Sequence, residues 1–363
     1  MAEFLTIYIM SFVFSFLYSK SKDKSSIIIF LTLSFLILFL PLALRYGIGT
    51  DYNSYVQIAS SAIAHKKYFS FEIGWTPILW LIAQFDLDIQ IFFVIPAFFT
   101  ILILFVVIPR KYFWLCIPAY ISIAYLESFS LVRQSFAASI LLLSIRAFYN
   151  KKNILALFWF ALSVLFHKSV VFMFPLFLLS IFRWKFLNVY TSVFIFVCSC
   201  AFFSVFNVAS FLMQNVLGNS IYAGYIGGGY DKKTELGSGL GLLLRLVMFA
   251  VFLFCIRRSA RTNEGSLFIS RRYVYTVFSL YMLSAAHILA AQIHIFNRIP
   301  NLFSPFYVYV LIAVVQSKSR YRKIVLIFTL SVLFIFFIKT LQVSSSSLGR
   351  GLGIVPYKSI FER

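Results

Sequence analysis

The residues of this chain best suited to chemistry are scattered cations, imidazoles and carboxylates that interrupt long apolar runs. Arg45 closes the run SIIIFLTLSFLILFLPLAL and opens RYGIGTDYNSY. A cation there meets the negative end of a helix dipole and can snorkel to an interface, so a structural role satisfies it when it is taken alone. Arg133 instead begins an apolar segment, where a cation opposes the dipole by a few tenths to ~1 kcal/mol. An anion is therefore expected beside it: Glu127 if the role is structural, or the phosphate of a ligand gripped bidentately by the guanidinium if it is functional. Arg298 stands just before IPNLFSP, with Pro300 suited to a first helical turn. If helical geometry extends backward from it, His287, His294 and Arg298 are spaced i, i+7 and i+11 and share one face. Arg245, in GLGLLLRLVMF, is the deepest of the arginines. A charge at the bilayer centre costs about 2.5–3.5 kcal/mol, so it must meet a partner, an aqueous cavity or, by snorkelling, the interface.

Asp51 is the strongest candidate carboxylate. In GIGTDYNSY the glycines allow a tight turn straight out of the preceding run, and Thr50, Asp51 and Asn53 can organise that turn with their own side chains. GIG is no nucleotide fingerprint: a third glycine would have to stand at Tyr52, and no strand precedes it. His167, in LFHKSVV, falls at a hairpin so tight that its ring must project at the surface or into a cleft. It is either a satisfied polar group or an imidazole serving as base or donor near neutral pH. Asp86-Leu87-Asp88 mimics a metal-binding Asp-x-Asp, but at the start of an apolar segment its carboxylates are better read as helix caps. Cys116, Cys198, Cys200 and Cys255 all lie inside apolar runs, without the spacing or polar company of a metal site or disulfide, and read as core filling. No metal or cofactor is expected.

The elements that must position these residues are membrane helices. The chain is 61% hydrophobic and 12% charged, with mean hydropathy +0.93, far from the balance of a soluble domain. Apolar runs recur over residues 1–363 with short polar breaks, which predicts one all-α, polytopic integral-membrane domain. Spans are expected near 3–19, 26–44, 89–108, 112–127, 133–149, 153–168, 170–183, 186–206, 239–256, 273–291, 299–316 and 324–341, about twelve in all, several shorter than the ~20 residues of a perpendicular crossing. The net charge of +21 resides in clusters between runs rather than along an interleaved surface, which argues for topology signals and against nucleic acid as a partner. Placing Lys20/Lys22/Lys24, Arg110/Lys111, Lys151/Lys152, Arg183/Lys185, the arginines of 257–272 and those of 318–323 all in the cytoplasm gives one consistent threading. The segment 71–85 must then stay on the outer side as a re-entrant or interfacial helix, which Trp75, Trp80 and Pro77 suit. Loops 45–70 and 207–238, the hairpin at His167, the region of His294 and Arg298 and the tail 342–363 fall outside. The first run lacks the basic start and small-residue cleavage site of a signal peptide and reads as a retained span. The tail, with SSSS at 344–347, is assigned no chemistry.

Four separated patches resemble, in order, the EpsG-like branch of the Wzy polysaccharide polymerases: RYGIGTDYNSY; FEIGWTPI; VRQSFAASILLLSIRAFYNKKNILALFWFALSVLFHKSVVFMFPLFLL; and FNRIPNLFSP. Arg45, Asp51, Tyr52, Glu72, Gly74, Arg133, Gln134, His167 and Arg298 occupy the positions that carry the likeness. Trp75 departs from it, standing where a smaller apolar residue is expected, and the loop 207–238 does not align. The resemblance implies a GT-C-like helical bundle in a bacterial inner membrane, working at its periplasmic or exterior face. It implies polymerisation of oligosaccharide units on undecaprenyl diphosphate, with donor and acceptor both lipid-linked, the bilayer as surroundings and room for a chain-length regulator as a protein partner. In that reaction Arg45, Arg133, Arg298 and Arg245 would hold the leaving diphosphate without a metal. Asp51 or His167 would take the acceptor's proton, Asp51 being favoured for its loop position and His167 for the near-neutral titration of an imidazole. Tyr52, Tyr55, Glu72, Gln134 and His294 would contact the sugars. A flippase of the same lipid-linked units is the competing class, and a related membrane ligase or acyltransferase a third. The crowding of polar residues toward one side of the membrane favours chemistry there over transport.

Overall fold

The computed structural model describes residues 1–66, 68, 71–181, 189–206, 208–212, 239–260, 271–317, 319–345 and 351–362. Among them are helices and no strand, only two isolated β-bridges. The chain divides into two compact units, one formed by Met1–Phe172 with Leu333–Arg363 and the other by Met173–Val332.

In the first unit the helices are α1 (Ala2–Lys20), α2 (Lys24–Ala43), α3 (Tyr52–Ala64), α4 (Thr76–Gln84), α5 (Ile91–Val107), α6 (Phe113–Tyr120), α7 (Val132–Tyr149) and α8 (Asn153–Phe166). Local sequence explains several of their limits. Asp23 caps α2 by accepting from the Ser26 N–H at 2.7 Å. Asp88 Oδ1 accepts from the Gln90 N–H at 2.7 Å just ahead of α5, but Gln90 is itself the N-cap and no side chain caps that helix, so the capping expected of Asp88 is not seen. Pro77 sits in the first turn of α4, where its missing N–H costs nothing. With the 3-10 turn Ile73–Trp75 before it, α4 is too short to cross a membrane.

Packing between α7 and α8 relies on small residues. Ser163 Oγ donates to Ala137 O and Ser144 Oγ to Ala156 O, each at 2.6 Å, so the backbones approach closely and the hydroxyls are satisfied. On α1 and α2, by contrast, Ile9, Ile28 and Ile29 are more than half exposed along helices without a charge in their interiors, a surface made for lipid.

The second unit holds α9 (Phe174–Ile181), α10 (Val189–Val205), α11 (Val208–Leu212), α12 (Leu240–Ala260), α13 (Arg271–Gln292), α14 (Arg298–Phe303) and α15 (Tyr307–Gln316); α16 (Arg322–Val343) starts in it and ends in the first. Here α13 is the central helix, packed against α9, α10, α12 and α14. Tyr281 Oη donates to Ser192 O at 2.7 Å and Gln292 Nε2 to Phe203 O at 2.5 Å, tying α13 to α10 at two levels.

Among the described residues, fewer helices reach span length than the apolar runs suggested. Ala2–Lys20, Lys24–Ala43, Tyr273–Gln292, Arg298–Gln316 and Arg322–Val343 do so, and the pair Ile91–Val107 and Arg110–Tyr125, bent by 102°, makes a sixth if it is one broken span. The other apolar helices among the described residues, Ile73–Gln84, Asn153–Phe166, Lys168–Leu179, Tyr190–Val205 and Leu240–Ile256, are 10–17 residues long. Helix α7, with Arg133 and Arg146 inside it, is not apolar enough to count. The chain is thus an all-helical, multi-pass membrane protein built with short and broken elements. Of the loop 207–238 only Val208–Leu212 is described; Arg183 and Lys185 also lie outside the described residues.

Candidate functional site

The site begins where α8 ends. His167 leaves the helix with extended backbone (φ −157°, ψ 110°), which turns its imidazole out of the helical row. Against the last turn docks FEIGW, residue by residue. Gly74 lies so near that a Cβ there would stand 2.8 Å from Leu165 O, closer than real side chains come. Trp75 Nε1 donates to Phe166 O at 2.9 Å, satisfying a carbonyl that the helix end leaves orphaned. Glu72 Oε1 then meets His167 Nδ1 at 3.1 Å. Trp75 is fully buried, ringed by Phe71, Phe92, Phe136 and Phe166. The tryptophan that departs from the family likeness therefore fastens the motif to α8, and only glycine fits one residue before it.

The second oxygen of Glu72, Oε2, pairs with Arg133 Nη1 at 2.6 Å. The anion that compensates a cation at the start of α7 is thus Glu72, rather than Glu127 as the structural reading of the sequence had it. Arg133 also lies over the rings of Phe71 (4.9 Å) and Tyr55 (5.4 Å). Its Nε is buried without a hydrogen-bond partner among the described residues. Burial pushes the Glu72 carboxyl up, but the hydrogen bond to His167 and the charge of Arg133 outweigh it and hold the group at about 2. Glu72 is nearly enclosed while Arg133 and His167 keep about a quarter of their side-chain surface open, so the two nitrogen bases face accessible space and the carboxylate backs them.

Asp51 stands one helical turn from Tyr55: the Tyr55 N–H donates to Asp51 O at 3.0 Å as α3 starts. Its half-buried carboxylate accepts from Thr50 Oγ1 at 3.4 Å, a contact within the turn of the kind expected of it locally, and does not cap α3. Tyr52 and Tyr55 are buried at the root of the same helix; Tyr52 stacks on Phe93 (4.6 Å, 10°) and its hydroxyl reaches Gln90 Oε1 at 3.4 Å. Gln134, next to Arg133, is buried in α7.

Arg45 is buried to 2% exposure, with Nη1 donating to Ser128 O at 3.0 Å and the guanidinium over Phe93 (4.8 Å) and Phe129 (5.5 Å). No carboxylate lies within ion-pair distance of it among the described residues, and its Nε has no partner. Burial pulls its pKa down to about 10, which leaves it charged at neutral pH. It borders a small cavity with Thr100, Ser128 and Ser135, roomy enough for about one water. Sequence alone left Arg45 open between snorkelling and ligand; it points inward.

The remaining candidates belong to the second unit. Arg245 Nη1 donates back one turn to Gly241 O at 3.3 Å, the direction of snorkelling toward the start of α12. His287 lies in α13, stacked on Phe249 at 5.9 Å. The expected continuous face through His287, His294 and Arg298 does not form: α13 ends at Gln292, a 3-10 turn covers His294–Asn297, and Arg298 opens α14. The tighter 3-10 winding breaks the 3.6-residue register on which that alignment depended. No group of His, Cys, Asp and Glu able to hold a metal occurs among the described residues.

What sequence reasoning missed is the pairing of Glu72 with both Arg133 and His167, and the part played by Ser128 and Ser130. The signal available for the first was the glycine two residues after Glu72, a mark of close backbone approach.

Short and broken helices around a buried carboxylate that holds an arginine and a histidine make this a multi-pass membrane protein with a polar site at the end of its first bundle. The chain belongs to the EpsG family, whose pattern matches residues 27–359 and so takes in every residue of that cluster. That makes it a membrane protein related to exopolysaccharide. No curated protein and no solved structure matches it.

Proposed function

We propose that the protein is a polysaccharide polymerase of the inner membrane, transferring a growing glycan from undecaprenyl diphosphate to the terminal hydroxyl of a new lipid-linked repeat unit at the periplasmic or exterior face. The observation that carries this reading is the His167–Glu72–Arg133 cluster. With Nδ1 engaged by Glu72, the imidazole is fixed in one tautomer and orientation and presents Nε2 as the base. The acceptor hydroxyl attacks the anomeric carbon while its proton passes to Nε2. The bond from that carbon to the diphosphate oxygen breaks, and the leaving group departs with the electron pair and both its phosphates.

Arg133 is the cation placed to meet that diphosphate. The open part of its guanidinium supports contact with phosphate oxygens, while Glu72 keeps it from collapsing onto another partner. Asp51, spared from capping, would orient the acceptor sugar or stabilise positive charge developing at the anomeric carbon. Arg45 acts from beneath by fixing the loop that carries Asp51. Tyr55 serves by supporting Arg133. Gln134 is a candidate for the sugars, while the side chain of His294 lies outside the described residues.

The deciding experiment supplies the purified protein in liposomes with lipid-linked repeat units. Chains that lengthen on the carrier support polymerisation. Translocation of the units without lengthening would establish a flippase instead, and transfer onto a different acceptor a ligase.

A further inference from the structure

The tail, assigned no chemistry from its residues, is built into the loop before Asp51. Gly49 N–H donates to Gly353 O at 3.0 Å, Thr50 N–H to Leu352 O at 3.2 Å, and Tyr46 N–H to Lys358 O at 3.0 Å, while Ile360 N–H returns a bond to Leu44 O at 2.8 Å. Ser130 joins the two segments to the start of α7. Its hydroxyl accepts from the Thr50 N–H at 3.1 Å and donates to Leu352 O at 2.9 Å, with 1% of its surface exposed. The tail is anchored in turn: Leu352 N–H donates to Ser344 Oγ at 3.1 Å beyond the end of α16, and Tyr357 Oη to Pro41 O at 3.1 Å within α2.

Backbone conformation on both sides requires this closeness. Gly49 has φ +97°, and a Cβ on it would stand 2.2 Å from Phe129 O. Gly351 has φ +60°, with a Cβ position 2.6 Å from Val343 O. Neither site accepts a side chain. Arg45 and Ile48 of the loop are buried, and the N–H groups of the partly buried Tyr46 and Gly49 find their acceptors in the tail.

We propose that Ser130 and residues 352–358 are positioning elements of the site, clamping the loop 45–51 so that Asp51 is held at the start of α3, one turn before the Tyr55 ring that lies under Arg133. This rests on the reading of Asp51 as a residue that holds the sugar in glycan transfer. The clamp acts through the loop backbone, and neither Ser130 nor the tail touches substrate.

The test compares three proteins in liposomes with lipid-linked repeat units: wild type, Ser130→Ala, and a chain lacking residues 351–363. Each is followed by elongation kinetics and by amide hydrogen exchange. The expected result is a kcat lowered about tenfold or more with KM for the acceptor changed less than about threefold, the signature of misplacement rather than lost binding. Exchange at Tyr46, Gly49 and Thr50 should accelerate while α7 and α8 keep their protection. Unchanged kcat in both variants beside an active wild type overturns the clamp and leaves the polymerase reading intact. Protection lost throughout α7 and α8 overturns it too, since the tail would then be general packing. A wild type that lengthens nothing overturns the polymerase reading itself.

Discussion

The two ends of the first unit use arginine in opposite ways. Phe4 at the start of α1 meets Phe129 at 5.4 Å, while at the other end of that helix, about 28 Å away, Arg110 donates to Tyr18 O at 2.9 Å and to Ser21 O. Arg146 likewise donates to Val106 O near the close of α5. Both satisfy carbonyls that helix C-termini leave orphaned, and both complement the dipole, so each is accounted for by structure alone. At the site end Arg133 begins its helix against the dipole and requires Glu72, and Arg45 is buried with one carbonyl and two rings for company. Arginines that hold the carbonyls of a helix end explain themselves; Arg133, set against its helix dipole, and Arg45, at a helix end but turned inward and buried, need a second reason to be there.

This contrast can be broken by substitution. Arg133→Ala should lower chain elongation by about 10²–10³-fold, the loss typical of one electrostatic donor to a leaving group, with the protein still recovered from membranes in normal amount. Near-normal polymer length in that variant would dissolve the distinction between the two ends. Asp51→Asn and Glu72→Gln should each cost about 10²-fold, Glu72→Gln by freeing both His167 and Arg133 from their shared partner. Gly74→Ala should cost about tenfold: its methyl forces the FEIGW segment off α8, and a double variant with Glu72→Gln should be little worse than Glu72→Gln alone if docking matters chiefly through Glu72.

A subtler difference lies in acid. Glu72 is held at about 2 against an ordinary 4.5, so the fold keeps it charged where the unfolded chain would bind a proton. Its contribution to stability is full above pH about 4.5 and drains as the pH falls toward about 2. Melting temperatures of wild type and Glu72→Gln should therefore differ by a constant gap above pH 5 and converge below 4.5. Smallest of all, Arg110→Ala should leave elongation within about twofold and cost about 1 kcal/mol of stability, the worth of a helix-end contact. A large loss of activity there would move the functional frontier to the wrong end of the bundle.

Much of this was legible in the sequence, but unevenly. That Arg133 must have an anion followed from its place at a helix start; which anion did not, because Glu72 lies 61 residues away and only the docking of FEIGW on α8 brings it near. Glu127, close in sequence, was the natural guess and the wrong one. Apolar runs announced membrane helices, yet run length alone could not show that Arg110–Tyr125 bends by 102° from its predecessor or that α13 gives way to a 3-10 turn before Arg298. The first break falls at Pro109, which the sequence does mark, whereas its angle and the second break are not encoded in hydropathy. The tail looked like polar filler since its donors and acceptors are main-chain groups, which every sequence possesses.

Ser130 and Leu352 are 222 positions apart, and Tyr357 and Pro41 are 316. A ribosome feeding this chain into the bilayer delivers Arg45, Asp51, Arg133 and His167 long before their loop can be closed. Until residues 351–360 have emerged, the hydrogen bonds of loop 44–50 stay open and the site is unfinished. A partly made copy could therefore lie in the membrane with its first helices formed and its loop 44–50 still open.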